Sequence, residues 1–299
     1  MDTKKKAAFV AVVGRPSVGK STLVNLLCGA KVAIVSAVPQ TTRNAIRGIV
    51  HRPEGQLVFV DTPGRHESER KLNKKLIEVS DRTMKDADII LYVLDASRLP
   101  GPEEAAIATR LVPLADRTVA AVNKMDSPRA DYEQTLVFLK NRFPQLDTAR
   151  CFKVSALNGA GTEALLSCLF AMASEGAPFY PAEYYTDQEL NFRIAEIIRE
   201  KAIHRLREEL PHALYVEVAD AELREEGTRL WVRAFIITER ESQKGMVVGK
   251  GGELIKAIRQ AAQKDLNRIL DWKVELDLRV KAAHDWRHNE GVLRRLFER

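Results

Sequence analysis

Gly14-Arg15-Pro16-Ser17-Val18-Gly19-Lys20-Ser21 is the stretch that decides the fold of this 299-residue chain, and Thr22 continues it. It follows the apolar run Ala7–Val13, which predicts a buried strand, and it precedes a stretch with helical periodicity. The pattern G-x-x-x-x-G-K-[ST] in this context is typical of a loop whose backbone N–H groups surround phosphates. Lys20 would reach the terminal phosphates and the Ser21 hydroxyl would bind Mg²⁺. The stretch therefore predicts a nucleotide phosphate site.

The surrounding sequence predicts an α/β domain. Short apolar runs alternate with amphipathic helical stretches as far as Glu175, which is typical of a doubly wound, mostly parallel sheet. A further run, Ala45–Val50, lies close enough to the next one to form an antiparallel hairpin with it. The runs predicted as buried strands are Phe9–Val13, Leu57–Val60, Ile89–Leu94, Thr118–Val122 and Phe152–Val154.

A second motif, Asp61-Thr62-Pro63-Gly64, follows the strand Leu57–Val60. Its carboxylate is suited to the Mg²⁺ shell and its glycine N–H to the terminal phosphate, so Lys20 and Gly64 are candidate catalytic residues. A threonine of the preceding polar segment should complete the metal shell and take part in catalysis. Thr42 is preferred over Thr41, and loss of this contact after hydrolysis would release the segment.

Two further motifs predict guanine as the base. Asn123-Lys124-Met125-Asp126 ends a predicted strand, and the Asp126 carboxylate can accept hydrogen bonds from guanine N1–H and N2–H₂, which adenine does not offer. Ser155-Ala156-Leu157 ends the last strand, where a backbone N–H can donate to guanine O6 and the small Ala156 allows close approach. The four motifs together predict binding of GTP or GDP with Mg²⁺.

A break in the pattern divides the chain. Gly176-Ala177-Pro178-Phe179-Tyr180-Pro181 predicts a linker, with residues 1–176 before it as a nucleotide domain, 177–186 as the linker and 187–299 as a second domain. Thr186 and Glu189 have the spacing of a capping box, which predicts a helix from about Asp187 to Glu209. The remaining pattern gives the order α-β-β-α-α-β, with a glycine-rich loop at Gly249–Gly252.

These motifs, with Thr41-Thr42-Arg43 and the stretch Asp88–Asp95, resemble small GTPases of the Era group. Val248-Gly249-Lys250-Gly251-Gly252 matches the G-x-x-G loop of a KH domain, and the order of elements is similar to the type II KH fold. The three glycines would let the backbone approach a sugar-phosphate chain, and Lys250 adds positive charge. The resemblance implies binding near the 3′ end of small-subunit ribosomal RNA and assistance in maturation of the small ribosomal subunit.

Composition limits the alternatives. The net charge is +6, but residues 181–299 carry 22 basic and 22 acidic residues, so an RNA site there must be a local patch. Three cysteines without C-x-x-C spacing argue against a disulfide framework or a zinc site. No apolar run approaches the ~20 residues of a membrane span, so we expect a cytoplasmic protein.

We expect a monomer that binds RNA and not DNA. One alternative is a regulatory GTPase held weakly at the inner membrane face by basic surfaces. Another is an RNA-binding module whose nucleotide only stabilises the fold.

Two residues depart from related patterns. Ras-like enzymes place a water-orienting glutamine after D-x-x-G, whereas this chain has Arg65. Relatives that use K⁺ in place of an arginine finger typically have asparagine at the position of Ser17. The sequence therefore predicts slow intrinsic hydrolysis with little stimulation by K⁺.

Overall fold

The computed structural model describes residues 5–36, 38, 41, 43–62 and 71–297, without the side chains of 71–76 and 297. The chain divides into two compact units. The first contains Met1–Val35 and Thr42–Asp187, and the second contains Ser36–Thr41 and Gln188–Arg299. The predicted linker 177–186 is thus grouped with the first unit.

The first unit is built on a mostly parallel sheet, as the sequence predicts. Its order is β2-β3-β1-β4-β5-β6, and a short β7 pairs with β1. Among the described strands of this sheet, only β2 and β7 run antiparallel to their neighbours, and the β2–β3 hairpin confirms the interpretation of Ala45–Val50. The strands are β1 (Lys6–Val13), β2 (Ile46–Arg52), β3 (Gly55–Asp61), β4 (Ile89–Asp95), β5 (Thr118–Asn123), β6 (Cys151–Lys153) and β7 (Ser174–Glu175).

Helices cover both faces of this sheet. Val10 and Val12 of β1 pack into one core, whereas Ala11 and Val13 pack into another, because successive strand residues point to opposite faces. Burial on both faces explains why these strands appear as continuous apolar runs. The helices are α1 (Lys20–Cys28), α2 (Lys71–Asp86), α3 (Pro102–Leu111), α4 (Tyr132–Arg142) and α5 (Thr162–Met172).

The segment before the second unit is held against β2 and β3. The Gln56 amide accepts from the N–H groups of Phe179 and Tyr180 at 2.8 and 3.1 Å. The Thr186 hydroxyl donates to the Arg47 carbonyl at 2.8 Å. The predicted capping box of Thr186 and Glu189 is therefore wrong, because a tertiary hydrogen bond takes the hydroxyl that would have capped the helix.

The second unit has the predicted order of elements. Its helix α6 (Leu190–Ile203) is shorter at both ends than predicted. It is followed by β8 (Leu214–Arg224), β9 (Arg229–Thr238), α7 (Glu241–Val248), α8 (Glu253–Ile269), β10 (Lys273–Ala282) and a terminal α9 (Glu290–Phe297). The sheet order is β10-β9-β8, with β8 antiparallel and β10 parallel to β9.

The sequence pattern favours a strand at Tyr215–Ala219, and β8 extends five residues beyond that end. Its added residues, Asp220 to Arg224, continue the pairing with β9 after a bulge between Val218 and Asp220. Three charged residues among these five made the segment resemble a polar turn, although Ala221 and Leu223 alternate with them as in a strand.

Trp286 anchors the C-terminal segment of the second unit. Its side chain is 1% exposed, and its indole N–H donates to the Ala213 carbonyl at 3.1 Å. Trp286 is therefore a packing residue of the second unit. Among the described residues, no helix combines the length and apolar character needed to cross a membrane.

Candidate functional site

The phosphate loop lies at the carboxyl end of β1, between that strand and α1. A Cβ at Gly14 would lie 2.5 Å from the Val93 carbonyl oxygen, and a Cβ at Gly19 would lie 2.5 Å from the Asn123 amide nitrogen. Gly19 also has φ +99°, a conformation that side chains disfavour. Both glycines are therefore required where the loop packs against neighbouring strands.

Lys20 opens α1 with its side chain folded back over the loop. It is 6% exposed, and its Nζ donates to the carbonyls of Gly14 and Arg15, each at 2.9 Å. Burial lowers the pKa of Lys20 to about 8, although the Asp61 carboxylate acts in the opposite direction. The loop thus places a buried ammonium beside the backbone of the predicted phosphate site.

The predicted metal ligands Ser21 and Asp61 are brought together across α1 and β3. The Ser21 hydroxyl donates to Asp61 Oδ2 at 2.6 Å, and Asp61 is fully buried. The neighbouring Thr62 hydroxyl donates to the Val12 carbonyl at 2.7 Å, which holds the end of β3 against β1. Paired hydroxyl and carboxylate oxygens form a donor set that suits Mg²⁺.

Four predicted positions fall outside the described residues. They are Thr42, Pro63, Gly64 and Arg65. Their roles stay predictions. The alternative threonine, Thr41, is described, and its hydroxyl donates to the Val38 carbonyl at 2.6 Å.

The two base motifs are joined through Asn123. Its amide nitrogen donates to the Val18 carbonyl at 2.8 Å, and its oxygen accepts from the Ala156 N–H at 2.9 Å. One side chain therefore links the phosphate loop, the end of β5 and the end of β6.

Asp126 is oriented by the last motif. The Ser155 hydroxyl donates to Asp126 Oδ1 at 2.5 Å. Asp126 is itself exposed, and so is Leu157 of the last motif. This arrangement leaves the second carboxylate oxygen of Asp126 available for the edge of a base.

Lys124 and Arg15 direct their side chains to a residue that the sequence did not single out. The Lys124 ammonium donates to Asp95 Oδ2 at 2.8 Å, and the Arg15 guanidinium donates to the same oxygen at 2.9 Å. Because this buried ion pair engages its guanidinium, Arg15 would contribute its backbone to the phosphate loop. The sequence feature that could have identified Asp95 is its position at the end of β4, because the other motifs also follow the carboxyl ends of their strands.

The glycine-rich loop of the second unit lies between α7 and α8. Gly249, Gly251 and Gly252 have φ of +75°, +60° and +78°, and Lys250 is exposed. A Cβ at Gly249 would lie 2.6 Å from Leu254 Cβ, whereas Gly251 and Gly252 face open space. The loop therefore presents bare backbone at the N-terminus of α8.

One face of α8 is basic. Lys256, Arg259, Lys264 and Arg268 take part in no ion pair within the described part of the chain. Acidic Asp265 on the same helix pairs with Lys201 instead. An open groove of about 540 Å³ runs along this face, lined by Arg259, Gln260, Gln263, Lys264, Asn267 and Arg268.

Comparison with known proteins agrees with this division. Residues 9–124 match the family described as 50S ribosome-binding GTPase, and residues 209–287 match the KH domain family. GTPase Era of Treponema denticola is 47% identical over 97% of this chain and 99% of its own. GTPase Era of Borreliella afzelii is 40% identical over 98% and 99%.

Solved structures agree over the same length. A variant of Aquifex aeolicus Era bound to GDP·AlF₄⁻ superposes with a TM-score of 0.91 at 33% identity, covering 98% of both chains. Era in complex with MgGDPNP and nucleotides 1506–1542 of 16S ribosomal RNA gives the same TM-score, identity and coverage. The chain therefore belongs to the Era family of GTPases, with a GTP-hydrolysing domain followed by a KH domain.

Proposed function

We propose that this GTPase binds the 3′ region of small-subunit ribosomal RNA through its second unit and assists maturation of the small ribosomal subunit. The observation that carries the proposal is the bare backbone of Gly249–Gly252 at the N-terminus of α8. Three of the four residues have positive φ angles, which glycine adopts most easily, and glycine puts no side chain between the backbone and a ligand. The exposed Lys250 adds positive charge. This geometry suits a sugar-phosphate chain.

The basic face of α8 supports the same ligand. From Lys256 to Arg268 it extends about 18 Å along the helix axis at 1.5 Å per residue. Its cations are not neutralised by described neighbours, so they can replace counterions along an RNA backbone. The relative solved with nucleotides 1506–1542 of 16S ribosomal RNA supports assignment of the RNA to the small subunit.

The first unit would hold the nucleotide from both ends. Backbone N–H groups from Gly14 to Thr22 would surround the phosphates, and Lys20 would exchange its two carbonyl partners for β- and γ-phosphate oxygens. Asp126, oriented by Ser155, would accept from guanine N1–H and N2–H₂. Guanine O6 would face the backbone N–H of Leu157, or that of Ala156 once it exchanges its bond to the Asn123 oxygen.

Ser21 and Asp61 would hold Mg²⁺, with Thr42 as a further ligand, since the first two already place their oxygens 2.6 Å apart. Bound Mg²⁺ neutralises charge on the phosphate oxygens. Lys20 stabilises the charge that develops on the transferred phosphoryl group, and the Gly64 N–H would orient it. With Arg65 in place of a water-orienting glutamine, we propose that intrinsic turnover is slow.

The test is a double variant, Lys250→Asp with Gly251→Asp, assayed for RNA and for GTP. The RNA is a transcript of the 3′ end of 16S ribosomal RNA. We expect RNA affinity to fall at least about tenfold, because two carboxylates oppose the phosphates. GTP affinity should not change, since the two sites lie in different units.

The matched control is Lys244→Asp with Gly245→Asp on α7, which makes the same change in charge at a nearby helix. Equal RNA loss in both double variants would contradict the assignment of the loop. Flotation with vesicles of anionic lipid examines the membrane alternative. Vesicle binding without RNA binding would overturn the proposal.

A further inference from the structure

Asp95 occupies a central position that none of the nucleotide motifs includes. It ends β4 and is 5% exposed. Its Oδ2 accepts from Arg15 at 2.9 Å and from Lys124 at 2.8 Å. Its Oδ1 accepts from the Ser97 N–H at 3.0 Å and from the Ser97 hydroxyl at 2.5 Å. Four donors therefore hold one buried carboxylate in a single orientation.

The two cations on Asp95 come from loops that serve opposite ends of a nucleotide. Arg15 lies in the phosphate loop, and Lys124 lies in the N-K-x-D motif beside the base-reading Asp126. Lys124 has φ +66°, so its backbone is in a conformation that a lysine rarely adopts without support. A single oxygen atom of Asp95 joins the two loops.

Arg15 is held from a second side. Its guanidinium forms an ion pair with Glu104 of α3, which is 2% exposed. Glu104 is fixed in turn, because its Oε2 accepts from the Gly101 N–H at 2.8 Å. Two cations and two carboxylates thus form a balanced network anchored to α3, in which Lys124 is partly exposed and the other three groups are buried.

The Asp95 carboxyl group remains ionised within this network. Burial acts to raise its pKa, but the hydrogen bonds from Lys124 and Ser97 outweigh burial and hold the pKa below its ordinary value. An ionised carboxylate binds two cations more strongly than a neutral amide of the same shape would.

We propose that Asp95 is a positioning residue that couples the phosphate loop to the guanine loop and so sets the rate of nucleotide release. When Asp95 holds Arg15 and Lys124 together, neither loop can open alone. The inference rests on the nucleotide site proposed above. Asp95 touches no reacting atom in this arrangement, so it should govern nucleotide retention and not the chemical step.

The test is Asp95→Asn, which keeps the shape of the side chain and removes its charge. We expect dissociation of a fluorescent GDP analogue to accelerate roughly 10- to 100-fold, because hydrogen bonds between charged partners are lost. KM for GTP should rise in proportion, and kcat at saturating GTP should stay within about twofold. If Asp95 had a purely structural role, Asp95→Asn would lower the melting temperature but would not raise KM while leaving kcat nearly unchanged.

Asp131→Asn is the matched control. Asp131 caps α4 by accepting from the Gln134 N–H at 2.9 Å, a role that asparagine also fills. GDP dissociation should not change in this variant. If Asp95→Asn does not fold, the rate of GDP release can be measured in Glu104→Gln instead. This substitution loosens only the Arg15 side, so a severalfold faster release is expected.

Release at the wild-type rate in folded Asp95→Asn would overturn the inference, as would an unchanged rate in Glu104→Gln if the first variant is unfolded. Failure of the wild-type protein to bind GDP would instead contradict the nucleotide site itself. The two failures are therefore distinguishable.

Discussion

The two glycine-rich loops of this protein both present backbone N–H groups, but the first is closely surrounded by neighbouring residues and the second is open to solvent. Gly14–Ser21 and Gly249–Gly252 each lead into a helix, so both present N–H groups at a positive helix end. In the first loop Lys20 is 6% exposed, and added Cβ atoms at Gly14 and Gly19 would meet neighbouring strands. In the second loop Lys250 is exposed, and Gly251 and Gly252 face open space.

The difference corresponds to the kind of phosphate each loop would bind. A mononucleotide that must react needs donors fixed in advance, since preorganised groups cost no reorganisation during the reaction. A polymer that passes over the surface needs access for many similar phosphates and tolerates looser geometry. Confinement by tertiary contacts, more than the glycines themselves, distinguishes the two sites.

Asp126→Asn should have the largest effect on the confined site. An amide cannot accept from both guanine donors, so we expect GTP affinity to fall by at least about 10³-fold, while xanthosine triphosphate gains affinity. Competition binding with the two nucleotides measures the change. An unchanged preference for GTP would show that Asp126 does not read the base.

The glycines allow a direct comparison of the loops. Gly19→Ala places a methyl group 2.5 Å from the Asn123 amide, and we expect GDP affinity to fall on the order of 100-fold. Gly251→Ala meets no atom within 4 Å, so its cost is the left-handed conformation, about 1 kcal/mol of folding free energy. Titration calorimetry with GDP measures the first loss, and thermal unfolding measures the second. A loss of folding free energy in Gly251→Ala as large as the loss of GDP-binding free energy in Gly19→Ala would refute the contrast in confinement.

The lowered pKa of Lys20 predicts that GDP affinity depends on pH. This pKa is about 8 in the nucleotide-free protein, and bound phosphate should raise it. Below pH 8 the amine is charged with or without ligand. Above pH 8 the free protein must take up a proton to bind, so GDP affinity should fall by up to about tenfold per pH unit.

Proton uptake can be measured directly by calorimetry of GDP binding at pH 9 in buffers of different ionisation enthalpy. Lys20→Arg is the control, because its guanidinium stays charged throughout this range. The same uptake in Lys20→Arg would assign the proton to another group.

The smallest effect concerns Ser17, which is exposed and has φ +62°. A serine hydroxyl reaches less far than an asparagine amide and offers a weaker site for a monovalent cation. We expect GTP turnover in K⁺ to exceed that in Na⁺ by less than about threefold, and Ser17→Asn to increase the ratio, since asparagine also tolerates this backbone conformation. Strong K⁺ stimulation of the wild-type protein would contradict the prediction.

Local pattern predicted most of the architecture. Apolar runs of strand length indicated the parallel sheet, and the hairpin of β2 and β3 followed from a six-residue connection. Helix ends were less well predicted. The expected start of α6 near Asp187 moved to Leu190, because Thr186 hydrogen-bonds to Arg47 and no longer caps the helix.

The sequence by itself determined the order of the four nucleotide motifs and the glycines of the KH loop, because each depends on chemistry within a few neighbouring residues. Only the tertiary structure decided which side chains meet. Arg15, predicted to bind nucleotide, turns its side chain toward Asp95, 80 positions away, and leaves only its backbone for phosphate. Such a choice of partner depends on how strands and helices pack, which no local spacing encodes.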